Sequence, residues 1–303
     1  MMIKIGIPRS LFYFYYKDIW INFFKELGID IVISPKTNKE IINLGMKYAT
    51  DEMCLSLKNY IGHVAYLKDK CDYILIPRID NYGSYNQTCT NFLAIYDYIN
   101  NIFDIKLLNY NVDLNHKETE NKGLINLVTK LGISKKKALY AYDIACMKNK
   151  KVLKEKQIKN YSKLNDNRLK ILLVGHSYNI SDEFIGIPII KLLKNMNISI
   201  IYSDQFDSKI SNDNSCLLTP NNYWKYSKEI IGPINLVKNK INGIIFLSTF
   251  PCGVDSLANE LVMRNISIPY LNIIIDDLDS LSGIETRMES FIDIIHEKVR
   301  IDK

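Results

Sequence analysis

The chain has 303 residues, of which 47% are hydrophobic and 24% charged, the balance of an ordinary globular protein long enough for two domains. It contains no run of about 18 apolar residues, so no membrane span is expected. Its net charge of +6 comes mostly from lysines scattered along the chain, and even the densest group, in residues 148–159, reads as a solvated helix face, with no nucleic acid expected as a partner.

Residues 3–7 are apolar and β-branched, and with their flanks they read as a first strand, not as a signal peptide; a cytoplasmic location is therefore expected. An aromatic-rich helix follows over residues 11–27, closed by Gly28, and then a strand over 29–34. Helices are predicted over 38–48 and 54–67, a buried strand over 71–77, a polar loop over 81–88 and a helix over 89–102. A strand over 105–108 and helices over 118–131 and 135–160 complete the first half. The second half opens with a strand over 170–176 that ends in a Gly-containing turn. It continues with a helix over 184–194, a strand over 198–202, a helix over 224–240, a strand over 243–247, a helix over 254–264, a strand over 268–275 and a closing helix over 285–298.

Apolar strands alternating with helices of crossover length predict an α/β protein with parallel sheets flanked by helices. The polar stretch at 161–167 divides it into two Rossmann-like domains, residues 1–165 with a helical extension and residues 166–303. In such folds ligands sit beyond the carboxyl ends of the strands, which here points to an interdomain cleft. The turns leaving the strands are 8–10, 35–38, 77–89, 175–182 and 249–255, and none carries a G-x-G-x-x-G or P-loop lysine pattern.

Six cysteines without a C-x-x-C pair argue against a zinc ribbon or a thioredoxin-type motif. Three of them stand where a helix begins: Cys54 in Asp51-Glu52-Met53-Cys54, Cys89 in Gln87-Thr88-Cys89-Thr90, and Cys252 in Phe250-Pro251-Cys252-Gly253. Helix N-terminal amides favour a thiolate, and soft thiolates favour zinc or an iron–sulfur cluster. Three protein ligands would leave one position open, as catalytic sites do. The plain alternative is that each is a small core side chain, which is also the reading of Cys71, Cys146 and Cys216.

Several blocks, in order along nearly the whole chain, resemble the acyl-CoA dehydratase activase-related family, allied to the 2-hydroxyacyl-CoA dehydratase subunits of anaerobes. They are Gly6-Ile7-Pro8-Arg9-Ser10-Leu11, Ser34-Pro35-Lys36-Thr37-Asn38, Asp51-Glu52-Met53-Cys54, Gly62-His63-Val64, Ile76-Pro77-Arg78, Gly175-His176-Ser177-Tyr178-Asn179-Ile180, Pro251-Cys252-Gly253-Val254-Asp255-Ser256-Leu257 and Gly283-Ile284-Glu285-Thr286-Arg287-Met288-Glu289. The resemblance implies a [4Fe–4S] cluster held by Cys54, Cys89 and Cys252, low-potential electrons from a partner ATPase, reduction or dehydration of an acyl-CoA or small substrate, and a dimer. Two segments depart from the family pattern. Cys89 is followed by Thr90-Asn91 where a Cys-Pro turn is usual, and the acidic turn before the last helix reads Asp276-Asp277-Leu278-Asp279-Ser280-Leu281-Ser282-Gly283. The ATPase domains attached in larger relatives are not expected in this chain. A non-catalytic electron-transfer or partner-binding scaffold, with or without a cluster, stands as the alternative, and a zinc site on the same thiolates as a third.

His63 and His176 are the candidate proton donors. His63 lies along the helix opened by Cys54 and could also contact a phosphate, though its plainer reading is a satisfied structural histidine, while His176 ends the first strand of the second half with Ser177 and Tyr178. Lys58 and Arg9 are candidate contacts for an anionic substrate, Asp255 and Ser256 read as capping residues, and Arg287 as an ion-pair partner.

Overall fold

A computed structural model describes residues 3–276 and 282–301, so most of the acidic turn, residues 277–281, lies outside the described residues. The chain divides into two compact units, Met1–Lys154 with Tyr223–Lys225, and Glu155–Asn222 with Tyr226–Lys303.

In the first unit the β-branched run at the start forms β1 (Lys4–Ile7), and α1 (Phe12–Leu27) returns the chain to β2 (Asp30–Ile33). Apolar side chains at helical spacing give α1 a buried face of Phe12, Tyr16, Trp20, Phe23, Phe24 and Leu27. Gly28 stops the helix with φ 73°, donating its N–H to Lys25, because the left-handed conformation costs a residue without Cβ almost nothing. Next come α2 (Lys39–Tyr48) and α3 (Leu55–Leu67), then β3 (Tyr73–Leu75), β4 (Arg78–Asn81) and α4 (Thr90–Ile102). β5 (Leu107–Leu108), β6 (Asn111–Asp113) and α5 (Glu120–Lys130) follow, and then α6 (Lys135–Ser162), of which residues 135–154 belong to this unit. The main sheet is parallel with order β2-β1-β3-β5, and β4 and β6 form a separate parallel pair.

α2 and α3 cross with their backbones almost touching. A Cβ on Gly62 would lie 2.0 Å from the Ile41 carbonyl oxygen, and one on Gly45 would lie 2.1 Å from that of Lys58. This contact fixes where α3 begins, and therefore where Cys54 sits.

The second unit runs β7 (Lys170–Val174), α7 (Ser177–Ile180), α8 (Gly186–Asn195), β8 (Ser199–Tyr202), α9 (Ser208–Ser215), α10 (Lys225–Val237), β9 (Gly243–Thr249), α11 (Gly253–Met263), β10 (Tyr270–Ile275) and α12 (Ser282–Ile301). Its sheet is parallel with order β10-β9-β7-β8. β9 is buried along its whole length, as a central strand covered on both faces must be, and its continuous apolar sequence reflects that. Leu172, Val174, Ile231, Ile234, Ile244 and Phe246 belong to the core on one side of this sheet.

The two sheets repeat one connection pattern. In each, the second strand lies outside the first, two helices follow it, and the third strand returns on the other side of the first. The order of strands therefore reverses between β1 and β3, and again between β7 and β9, which is where open α/β sheets bind ligands.

Three expectations change. Just before the stretch read as a polar loop lies an unexpected strand, β4, whose sequence Arg-Ile-Asp-Asn lacks an apolar run and which pairs with the short β6. The strand expected over 105–108 pairs only through Leu107 and Leu108. Helix α9 was not expected, since Ser208–Ser215 is polar and offers little periodicity.

Candidate functional site

At the reversal point of the second unit, β7 ends at Val174 and the chain turns through Gly175 against β9; a Cβ on Gly175 would lie 2.8 Å from the Leu247 carbonyl oxygen. The turn delivers His176, buried at 4% exposure, with Nε2 2.8 Å from Oδ1 of Asp255, itself 2% exposed. The chemistry of that pair has Nε2–H donating to the carboxylate. The imidazole stacks on Tyr178, with ring centroids 4.9 Å apart and planes inclined by 16°. Asp204 lies close by, its carboxyl pushed up by burial against the opposing pull of the Ser177 hydroxyl, Lys156 and His176.

Cys252 is the N-cap of α11, and its Sγ accepts the Asp255 N–H at 3.5 Å. Asp255 therefore joins the thiol and the imidazole, its amide facing Cys252 and its carboxylate facing His176. The expected capping role of Asp255 is corrected here: Cys252 caps α11, because the Asp255 side chain is committed to His176. Arg287, expected in an ion pair, instead donates to the Asn272 carbonyl at 2.6 Å, which lies along the neighbouring edge strand β10.

In the first unit Cys54 is the N-cap of α3 and Cys89 the N-cap of α4, both with extended backbone and neither capping its own helix through sulfur. Thr88 secures the approach to Cys89, its hydroxyl donating to the Ile79 carbonyl at 2.5 Å and its N–H to that of Asp80 at 2.8 Å. Lys58, one turn into α3, donates to the Asp51 carbonyl at 3.0 Å and so ties down the segment before Cys54.

His63 is fully buried on α3, with Nδ1 2.9 Å from Ser34 Oγ and Nε2 3.1 Å from Thr37 Oγ1. Ser34 Oγ also accepts the Arg9 N–H at 2.8 Å. Either neutral tautomer satisfies all three contacts: the Ser34 hydroxyl donates to Nδ1 while Nε2–H donates to Thr37, or Nδ1–H donates to Ser34 while the Thr37 hydroxyl donates to Nε2. Burial, aided by the Arg9 charge, lowers the His63 pKa to about 3, so the ring is neutral and both its nitrogens are engaged. His63 joins two of the turns read from the sequence, those after β1 and β2, to the helix that starts at Cys54.

The remaining cysteines differ in kind. The thiols of Cys71 and Cys146 are pushed up by burial, and Cys71 donates to the Leu67 carbonyl at 3.3 Å. Cys216 donates to the Asp213 carbonyl at 3.1 Å. Cys146 faces a polar group hidden in the sequence: Glu120, Tyr110 and Tyr142. Burial pushes the Glu120 carboxyl up to about 7, and its Oε1 has no hydrogen-bond partner among the described residues. Neither this group nor the His176–Asp255 pair could be read from spacing, because 79 residues separate the latter.

Three N-cap thiols are the donor set that a soft metal or iron–sulfur cluster takes. Within neither unit do three or more His, Cys, Asp or Glu side chains gather into a metal-holding group, among the described residues. Among the same residues no helix is long and apolar enough to cross a membrane.

Residues 4–206 match the family described as the CoA enzyme activase uncharacterised domain (DUF2229). That span contains Cys54, His63, Cys89 and His176, and ends before Cys252. No curated protein matches the chain. Among solved structures it is distantly similar to the SBP FpvC of Pseudomonas aeruginosa in complex with Ni2+, at 13% identity and TM-score 0.29 over 98% of this chain and 96% of that one. The Mn2+ complex of FpvC gives 12% and 0.28, covering 98% of each chain. A sugar transporter from Clostridium phytofermentans gives 12% and 0.20, over 99% of this chain and 93% of that one. Likeness of this order carries no functional information.

Proposed function

This chain belongs to the CoA enzyme activase uncharacterised domain family, and from that premise we propose that it is an iron–sulfur protein serving acyl-CoA chemistry. Cys54, Cys89 and Cys252 are assigned as thiolate ligands of a [4Fe–4S] cluster, and a partner ATPase as the source of low-potential electrons. When bound, such a cluster supplies one-electron chemistry, with one iron left without a protein thiolate. The carrying observation is positional: these three cysteines occupy the N-cap positions of α3, α4 and α11, whereas Cys71, Cys146 and Cys216 occupy none. Helix N-terminal amides lower the cost of holding thiolate charge.

The protein residues around these thiols position them. His63 locks the turns beside α3 in a neutral network, and Asp255 presents its amide to Cys252 while its carboxylate holds His176. This commitment of both histidines to protein partners favours a second reading, that of an electron carrier or partner-binding scaffold whose chemistry is completed on another subunit.

Strictly anaerobic purification followed by iron and sulfide analysis, and EPR after reduction, tests the proposal. We expect roughly four irons per chain, falling sharply in Cys54→Ala and Cys252→Ala. Colourless, iron-free protein would sink the cluster assignment, and stoichiometric zinc would replace it. Full cluster in Cys89→Ala would move the third ligand elsewhere. Adding an acyl-CoA and an ATP-driven electron donor separates the two readings: turnover marks the enzyme, and cluster reduction without turnover marks the carrier.

A further inference from the structure

Helix α6 concentrates the charge of the whole protein. Over 28 residues it carries nine lysines against Asp143 and Glu155, a surplus of seven, while the full chain of 39 basic and 33 acidic residues has a surplus of only six. Like charges three and four residues apart, as in Lys150–Lys154 and Lys151–Lys154, destabilise a helix by a few tenths of a kcal/mol per pair, roughly. Asp143 and Glu155 are the two acids set among these nine lysines, and the balance of the helix stays strongly basic.

One side of α6 also exposes apolar side chains. Ala138, Ala141 and Ala145 are buried on one side of α6, whereas Tyr140, Met147 and Ile158 are 60%, 62% and 59% exposed. At about 100° per residue those three fall within about 20° of one line running roughly 27 Å along the helix, opposite the alanines. Lys151 and Lys154 stand between Met147 and Ile158 on that line or beside it.

We propose that this face of α6 docks an acidic, amphipathic segment of a partner protein, with carboxylates meeting the lysines and apolar side chains meeting Tyr140, Met147 and Ile158. Charge complementarity selects the sign of the partner, and the alternation of charge and apolar groups selects its class. A phosphate backbone would use the lysines but has nothing to place on Met147 and Ile158. A lipid surface would require a continuous apolar face, and here lysines interrupt the apolar line. The inference is independent of the cluster assignment.

The test uses the full chain and a fluorescent helical peptide with Leu at heptad positions flanked by Glu, with binding read by anisotropy. We expect binding that weakens about tenfold between about 50 and 300 mM salt. Exchange of Glu for Gln in the peptide should abolish it. The triple substitution Lys150→Glu, Lys151→Glu, Lys154→Glu should weaken it at least about tenfold. The pair Met147→Ser and Ile158→Ser should weaken it about fivefold with the salt slope unchanged. Equal binding of the Gln peptide overturns the proposal, and so does no effect of the serine pair. Tighter binding of a DNA duplex or of phosphatidylglycerol vesicles than of the peptide also overturns it. Because the Gln-peptide arm needs no protein variant, misfolding of a variant cannot rescue the idea.

Discussion

The two sheets of this protein use the same backbone solutions and fill them with different chemistry. In both, the serine that follows the second strand accepts an N–H from the turn after the first: Ser34 from Arg9 at 2.8 Å, and Ser203 from Gly175 at 3.3 Å. In both, the second of the two following helices is 13 residues long with glycine as its eighth residue, pressed on a carbonyl of the first: Gly62 on Ile41, and Gly232 on Ser211. In both, a cysteine occupies the N-cap position of the helix that follows the third strand of the sheet, Cys89 in one and Cys252 in the other. The polar fillings diverge. A neutral histidine held by two hydroxyls serves the first unit, and a histidine–aspartate pair the second. Backbone close approach tolerates few substitutions, whereas a buried polar group needs only some partner that satisfies it.

Breaking the shared element should have the largest effect. Gly62→Ala and Gly232→Ala place a Cβ 2.0 and 1.8 Å from carbonyl oxygens that belong to packed helices and cannot move aside. Each should cost upwards of about 3 kcal/mol in urea unfolding. Similar losses would support the equivalence of the two crossings, and a large loss at one alone would end it.

The histidines sharpen the contrast through pH. His63 has its pKa lowered to about 3 in the folded protein, from an ordinary 6.5. As pH falls below 6.5 the unfolded chain takes up a proton that the folded chain refuses, so stability is lost progressively down to about pH 3. The loss at pH 5 should be about 2 kcal/mol. In His63→Asn that part of the slope should vanish from urea melts recorded between pH 7 and pH 5. An unchanged slope would mean that His63 is not the buried neutral group described.

The smallest effect is expected in the second unit. Asp255→Asn retains an acceptor for His176 but removes the charge, at a cost of about 1 kcal/mol. The His176 ring resonances should move in NMR spectra while those of His63 stay in place. A shift of both would show that the two polar groups are not separate.

Much of this was readable along the chain. The inner strands β1, β7 and β9 are buried along most of their length, so runs such as Ile244-Ile245-Phe246-Leu247 announce themselves, and the alternation with helices implies parallel order. Cys54, Cys89 and Cys252 were legible as helix starts because turns and caps are local. The polar strands β4 and β6 were not, and neither was α9, whose sequence Ser-Lys-Ile-Ser-Asn-Asp-Asn-Ser carries almost no apolar signal. The lysine-rich helix was legible over 135–160; the structure added that Tyr140, Met147 and Ile158 are exposed along it in line.

The sequence alone therefore determined what depends on near neighbours: the elements, their parallel class, and the thiols at helix starts. Tertiary structure decided which groups meet. It set His176 on Asp255 and closed both nitrogens of His63 on Ser34 and Thr37. It also pressed Gly62 and Gly232 against carbonyls of other helices. Such pairings join residues tens of positions apart, and what selects them is the need to fill space and satisfy buried polar atoms, which no local pattern encodes.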